Sequence, residues 1–314
     1  MNGQIEFRRF RRDFRKPLRT ASGTWGYRDS IVIRIEDANG NLGFGEVAPT
    51  IGFRGESLAA AERFLVQWRP EMDIPADLPL CGSAISCAKS ELWRTKPARS
   101  QVETAALLVS LNEENLPSHE VLKAKIGVGE PTEEISAVRN LLDRMSAGSR
   151  LRLDANGSLS AAQAEIWLEV LGRHPEVEYL EQPLPVSERE TLVSLAAASP
   201  MPLALDESVV DVTEAESWRE AGWPGYFVLK PSLCGDWTRL ERFLRKESSR
   251  CVVSSVFESP FGFEAVLRMA AFAQTVAGLG ASSFFPDDDF VSSGTVLHPG
   301  VVTIERLEAL WRIL

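Results

Sequence analysis

No apolar run approaches the roughly 20 residues of a membrane-spanning helix, and no apolar signal-type segment follows the first methionine, so a cytoplasmic protein is expected. Cysteine is scarce: Cys81, Cys87, Cys234 and Cys251 include no CxxC pair, which points to reduced, structural thiols. An excess of positive charge is also missing. With 34 basic against 44 acidic residues the net charge is −10, which argues against nucleic acid or an anionic membrane as a main partner. There is no GxSxG or other nucleophile motif, and Gly127-Val128-Gly129 lacks the third glycine of a dinucleotide fingerprint. The three histidines, His119, His174 and His298, lie outside the register described below.

The 314 residues, 44% hydrophobic and 25% charged, suit one large barrel plus an accessory domain. The basic run FRRFRRDFRK, 7–16, is interrupted by an acid in an acidic chain. It reads as a strand of an accessory sheet with its arginines in solvent, rather than a nucleic-acid arm or presequence. Residues 1–50 read as β, with a hairpin around Asn39-Gly40, and two helical patterns follow at 56–68 and 82–93. A linker at 94–99 leads into alternating short strands and helices. Capping boxes are expected at Ser160…Gln163, Ser187…Glu190 and Thr213…Glu216. The reading is α/β: residues 1–95 an α+β unit, 96–290 a (β/α) barrel, and 291–314 a C-terminal segment able to pack back on the first unit.

Eight strands are expected, near 102–111 and at VLKAKI, RLRLDAN, VEYLEQ, PLALDES, GYFVLKPS, RCVVSSV and GLGASSFF. A polar residue stands at or near the end of six consecutive ones: Lys125, Asp154, Glu181, Asp206, Lys230 and Ser254. The intervals of 29, 27, 25, 24 and 24 residues match one strand-to-strand step of a β/α barrel. Parity agrees. Arg152, Asp154 and Asn156 share one face against Leu151 and Leu153, and Lys123 and Lys125 oppose Leu122, Ala124 and Ile126. The apolar set would pack on helices and the polar set would gather at the barrel mouth, where such folds place their sites.

Three hard carboxylates from adjacent strands suit Mg²⁺. Zinc is disfavoured, since no histidine or cysteine joins them. Three negative charges exceed the two of the ion, and a carboxylate substrate adds another, so Lys123, Lys125 and Lys230 have charge to balance. The bland alternative is a ring of salt bridges closing the barrel. A Schiff-base aldolase using Lys230 would leave the three carboxylates idle. A non-catalytic scaffold would show no Mg²⁺ dependence. Asp287–Asp289 is a further acidic run, read as a solvated loop rather than a metal site.

At KAK (123–125), DAN (154–156), EQP (181–183), DES (206–208) and LKPS (229–232) the chain resembles the enolase superfamily, in its muconate-lactonizing branch. The segments LRTASGTWGYRDSIVIRIEDANGNLGFGEVAP and SSVFESPFGFEAVLRMAAFA extend the likeness over nearly the whole chain. The resemblance implies a modified TIM-type barrel with an N-terminal capping domain. It also implies a hydro-lyase that removes a proton α to a carboxylate. The implied reaction dehydrates 2-succinyl-6-hydroxy-2,4-cyclohexadiene-1-carboxylate to 2-succinylbenzoate, on the route to menaquinone or phylloquinone. N-acylamino acid racemase, dipeptide epimerase and muconate cycloisomerase activities share the motifs.

Carried over residue by residue, Asp154, Glu181 and Asp206 would hold Mg²⁺, with Mn²⁺ able to substitute. Lys125 would be the base and then the acid, with Lys123 auxiliary to it, and Lys230 would be a cation across the substrate. Arg152 matches a family position that lines the substrate pocket. Read from the residues alone, Ser254 and Ser255 would receive a substrate carboxylate or simply end their strand. Asn156 would bond a metal-bound water or cap the following turn, and Glu207 would orient a ligand or lysine or lie in a solvated turn. The loops at 19–28 and 48–55, carrying Trp25, Tyr27 and Phe53, would close over the ring. The partner implied is a small carboxylate, and monomer and homo-oligomer both stay open.

Overall fold

A computed structural model describes residues 4–20, 23–286 and 294–314. The N-terminal unit is an antiparallel sheet of β1 (Gln4–Thr20), β2 (Gly23–Glu36) and β3 (Leu42–Val47), followed by α1 (Leu58–Gln67) and α2 (Pro79–Lys89). Alternation along β2 decides which side each residue serves. Ile31, Ile33 and Ile35 pack with α1 and α2, while Val32 and Phe44 of β3 join the main core on the other side. α2 passes so close to β3 that a Cβ at Gly45 would stand 1.9 Å from the Ala84 carbonyl oxygen. The expected hairpin forms, with the Asp37 carboxylate accepting from the Asn39 and Asn41 amides and Gly40 at φ +81°.

The basic run lies within β1. Its arginines are only partly in solvent. Arg9 and Arg11 pair with Glu62 and Asp29, whereas Arg8 and Arg12 lie 4.6 and 4.0 Å over the rings of Trp311 and Phe285. The first helix falls within its expected span, and the second is shifted toward the N-terminus. The second ends at Lys89 and a 3-10 turn, Glu91–Trp93, completes the pattern.

After β4 (Val102–Glu103) the barrel staves and helices alternate. They run β5 (Ala106–Leu108), β6 (Val121–Lys125), α3 (Pro131–Arg144), β7 (Arg150–Asp154), α4 (Ala161–Leu171), β8 (Val177–Glu181), α5 (Arg189–Ala198) and β9 (Leu203–Leu205). Then come α6 (Val212–Glu220), β10 (Tyr226–Leu229), α7 (Trp237–Lys246), β11 (Cys251–Val253) and α8 (Pro260–Ala270). Staves β5 to β11 form one parallel sheet in sequence order.

The eighth stave departs from expectation. GLGASSFF is not a strand, because Gly280–Phe284 turns into a 3-10 helix. Closure rests on two bridges, Ser254 to Gly278 and Thr104 to Ala277. Amide bonds of 2.8 Å from Gly278 to Val253 O, from Ala277 to Glu103 O and from Ala105 to Ala277 O secure them.

Leu122, Leu151, Leu153, Leu180, Leu203, Leu205 and Leu229 pack outward in the main core, and Tyr179, Ala204, Val228 and Val252 fill the barrel. The parity reading therefore holds. Ser160 and Gln163 form the expected capping box. The other two differ: Glu188 precedes α5 with no side-chain cap, and α6 is capped by Asp211 with Glu214. The amides of Gly127, Val128 and Gly129 all donate to the Glu134 carboxylate, so that glycine turn is filled by the chain itself.

β12 (Val296–Leu297) pairs with β4, and α9 (Ile304–Ile313) brings Trp311 within 6.3 Å of the Phe44 ring. All four cysteines are free and buried. Among the described residues no helix is long and apolar enough to cross a membrane. Asp287–Asp289 lies outside the described residues.

Candidate active site

Parallel pairing sets the heights of the site residues. Lys125 is opposite Asp154, and Asp154 is opposite Glu181. Glu181 is opposite Ala204, which puts Asp206 on the same face at the next inward position. The three carboxylates are buried, and each offers an oxygen within 4.8 Å of the others. Lys123 Nζ lies 2.8 Å from Asp154 Oδ2 and 2.7 Å from Glu181 Oε1, and Lys230 Nζ pairs with Asp206 Oδ1. Lys125 differs from both. It is exposed at the mouth and has no ion pair among the described residues.

Burial and the neighbouring Asp154 charge push Glu181 up to about 8, its attraction to Lys123 notwithstanding. Burial also works against Asp154, but Lys123 outweighs it and holds that carboxylate below its usual range. Two carboxylates sharing one ammonium are short of positive charge. Glu181 Oε2 is buried with no hydrogen-bond partner among the described residues. An orphaned carboxylate oxygen among two further carboxylates fits a hard divalent cation.

A second layer of side chains surrounds these carboxylates. The Asn156 amide donates to Asp154 Oδ1 at 3.0 Å, and its side chain donates to Glu207 Oε1 at 3.3 Å. Burial, then the Asp206 charge, raises Glu207 to about 7. Arg152 is deeply buried. Its guanidinium is 1% exposed and forms a two-bonded pair with Glu178, 2.7 and 3.4 Å, so it props the barrel interior and meets no open surface. Glu178 reaches it because a bulge between the Leu151 and Arg152 pairs leaves that residue unpaired.

Ser254 Oγ donates to the Gly278 carbonyl at 3.2 Å, as part of the barrel seam. Ser255 Oγ is buried without a hydrogen-bond partner among the described residues. The segment 48–55 is a loop, and its Phe53 ring stands 4.6 Å from Lys230 Nζ. Most of 19–28 is not a loop. Trp25 and Tyr27 lie in β2, and Trp25 packs on Phe14 and Phe257 at 5.7 and 5.8 Å.

Sequence reasoning passed over two residues. Phe257 (φ +64°) and Gln182 (φ +36°) follow β11 and β8 in the left-handed region that bulky side chains avoid. The only signal for Gln182 was its place after Glu181 in EQP.

Fold and site together define a capped (β/α) barrel whose mouth carries a carboxylate trio flanked by lysines. A family model described as Enolase C-terminal domain-like matches residues 103–306. The o-succinylbenzoate synthase of Thermosynechococcus vestitus is 34% identical, covering 98% of each chain. The solved o-succinylbenzoate synthase from Thermosynechococcus elongatus, with Mg in its active site, superposes with a TM-score of 0.80 at 31% identity over 100% of both chains. The L-Ala-D/L-Glu epimerase of Bacillus subtilis, 19% identical, shares the fold with a TM-score of 0.79, covering 94% of this chain and 95% of that one. The chain belongs to the enolase superfamily, in its muconate-lactonizing-enzyme-like branch.

Proposed function

We propose that this chain is a hydro-lyase with o-succinylbenzoate synthase activity, dehydrating 2-succinyl-6-hydroxy-2,4-cyclohexadiene-1-carboxylate to 2-succinylbenzoate. The observation that carries the reading is the trio Asp154, Glu181 and Asp206 within 4.8 Å, with two lysines paired to it and a third unpaired. Asp154, Glu181 and Asp206 would hold Mg²⁺, and Mn²⁺ fits the same oxygens. When bound, the ion supplies positive charge against the negative charge that develops on the substrate carboxylate as its α proton leaves.

A base must give up its own proton before it can take another. Lys123 is paired to Asp154 and Glu181, and Lys230 to Asp206, so both ammoniums are held by the carboxylate trio. Lys125 is free of such pairing, so it takes the α proton and then, as an ammonium, gives it to the departing hydroxyl on the same face. Lys230 stays cationic and faces the negative charge of the intermediate. Lys123 keeps Asp154 and Glu181 together. Loss of water makes the ring aromatic, which lowers the demand on the base. The location proposed is cytoplasmic.

The test is turnover of the cyclohexadiene acid, followed by absorbance with Mg²⁺ and with EDTA, beside epimerisation of acyl-amino acids and dipeptides. Mg²⁺-dependent dehydration is the expected result. Epimerisation without dehydration would assign the chain to the other chemistry of this superfamily. Turnover unaffected by EDTA would remove the metal from the reading.

A further inference from the structure

The residue that holds the three ligand-bearing segments together is itself no ligand. Gln182 follows Glu181, is fully buried and sits at φ +36°. Its main chain reaches both neighbouring staves. The N–H donates to Ala204 O at 2.8 Å, and the C=O accepts from Gly157 N at 2.7 Å, in the turn after Asp154. Its side chain spends its whole hydrogen-bonding capacity. Nε2 donates to Leu184 O at 2.9 Å and Ser208 Oγ at 2.8 Å. Oε1 accepts from the Asp206 and Ser208 amides, both at 3.1 Å. The reverse amide orientation would set an NH₂ against two N–H groups, so the four partners fix which end is which.

A left-handed backbone costs a non-glycine residue of order 1–3 kcal/mol and persists where the surroundings overdetermine it. Here the conformation turns the side chain toward the Asp206–Ser208 turn while the main chain holds the Asp154 turn. We propose that Gln182 is a positioning residue for the divalent-ion site, fixing the main chain of Asp206 against Glu181 and the Asp154 turn. The inference rests on reading those three carboxylates as a Mg²⁺ site.

The test is calorimetric titration of Mg²⁺ into the full-length, metal-stripped protein, comparing wild type with Gln182→Met, Gln182→Asn and Leu192→Ala. Methionine keeps the volume and abandons all four partners. Asparagine keeps the amide and falls one methylene short. Leu192 is fully buried on α5 and gives a loss of stability unrelated to the ligands. Supporting groups around a metal typically change affinity 10- to 100-fold.

Gln182→Met is expected to weaken the Mg²⁺ Kd about tenfold or more, and Gln182→Asn about fivefold. Leu192→Ala should lower the Tm and leave Kd within twofold of wild type. Saturating Mg²⁺ should return kcat of the Gln182 variants to within about threefold of wild type. Kd unchanged in both Gln182 variants, or weakened equally in Leu192→Ala, overturns the positioning role. Wild type that takes up no Mg²⁺ at millimolar concentration overturns the site itself, which separates the two failures.

Discussion

Replacing Lys123 by methionine removes the one ammonium that Asp154 and Glu181 share while keeping most of the side chain's bulk. Those contacts are 2.8 and 2.7 Å, and the Lys123 side chain is 19% exposed. Breaking a buried ion pair by deleting one partner costs about 3–5 kcal/mol, and the residual exposure argues for the lower end, about 3 kcal/mol. With an unfolding entropy of about 2.1 cal/mol/K per residue, a chain of 314 residues should then lose about 5 °C in Tm. A divalent ion between the same oxygens replaces the missing charge. At one hundred times its Kd it contributes about 2.7 kcal/mol, or about 4 °C. Calorimetric melts in EDTA and in Mg²⁺ read both quantities. The variant should melt lower than wild type without metal and gain more from Mg²⁺ than wild type does. An unchanged Tm in EDTA, or an equal gain from the ion, would show that Lys123 does not balance the ligand charges.

Lys125→Ala removes an exposed, unpaired side chain. It should leave the Tm within about 1 °C and Mg²⁺ binding unchanged while turnover falls about 10²- to 10⁴-fold; wild-type turnover would end the base assignment. Phe53→Ala removes the ring 4.6 Å from Lys230 Nζ. KM should rise at least about fivefold with Mg²⁺ affinity unaltered, and an unchanged KM would place the 48–55 loop outside recognition.

Glu264, buried beside Arg268, is raised to about 7, with burial outweighing the guanidinium. The folded chain therefore holds that proton more tightly than the unfolded one. This stabilisation is complete below about pH 4.5 and is lost as the pH climbs through about 7. Glu264→Gln should narrow the Tm difference between pH 5 and pH 8 by a few degrees, and an unaltered difference would refute the assignment.

The convergence of the carboxylate trio was legible because each member stands at or just past the end of a short stave, alternates with outward leucines and recurs at barrel spacing. Those are local properties that pairing in register converts into proximity. Arg152 has the same parity as Asp154, yet its pairing with Glu178 was not foreseen. Nothing in VEYLE announces the bulge that lets Glu178 capture it. The last stave was overdrawn because the apolar stretch GLGASSFF resembles a strand, while only Ala277 and Gly278 bridge and the chain then coils tightly. Ser187 missed its cap by one residue, and the α6 cap fell at Asp211, because several polar residues precede each helix and only backbone geometry selects among them. Phe53 against Lys230 and Gln182 against the Asp206 turn depend on contacts between distant segments, which periodicity does not encode.

The circle of staves is sewn unevenly. β7, β8 and β9, which bear the acidic trio, lie in the middle of the unbroken seven-strand ladder. The two-bridge closure lies across the ring from them, between β11 and Thr104, beside Ser254. The proposed metal ligands thus stand on the continuously hydrogen-bonded part of the ring. The seam, held by two isolated bridges, is where the ring has the fewest inter-strand bonds and where local opening costs least.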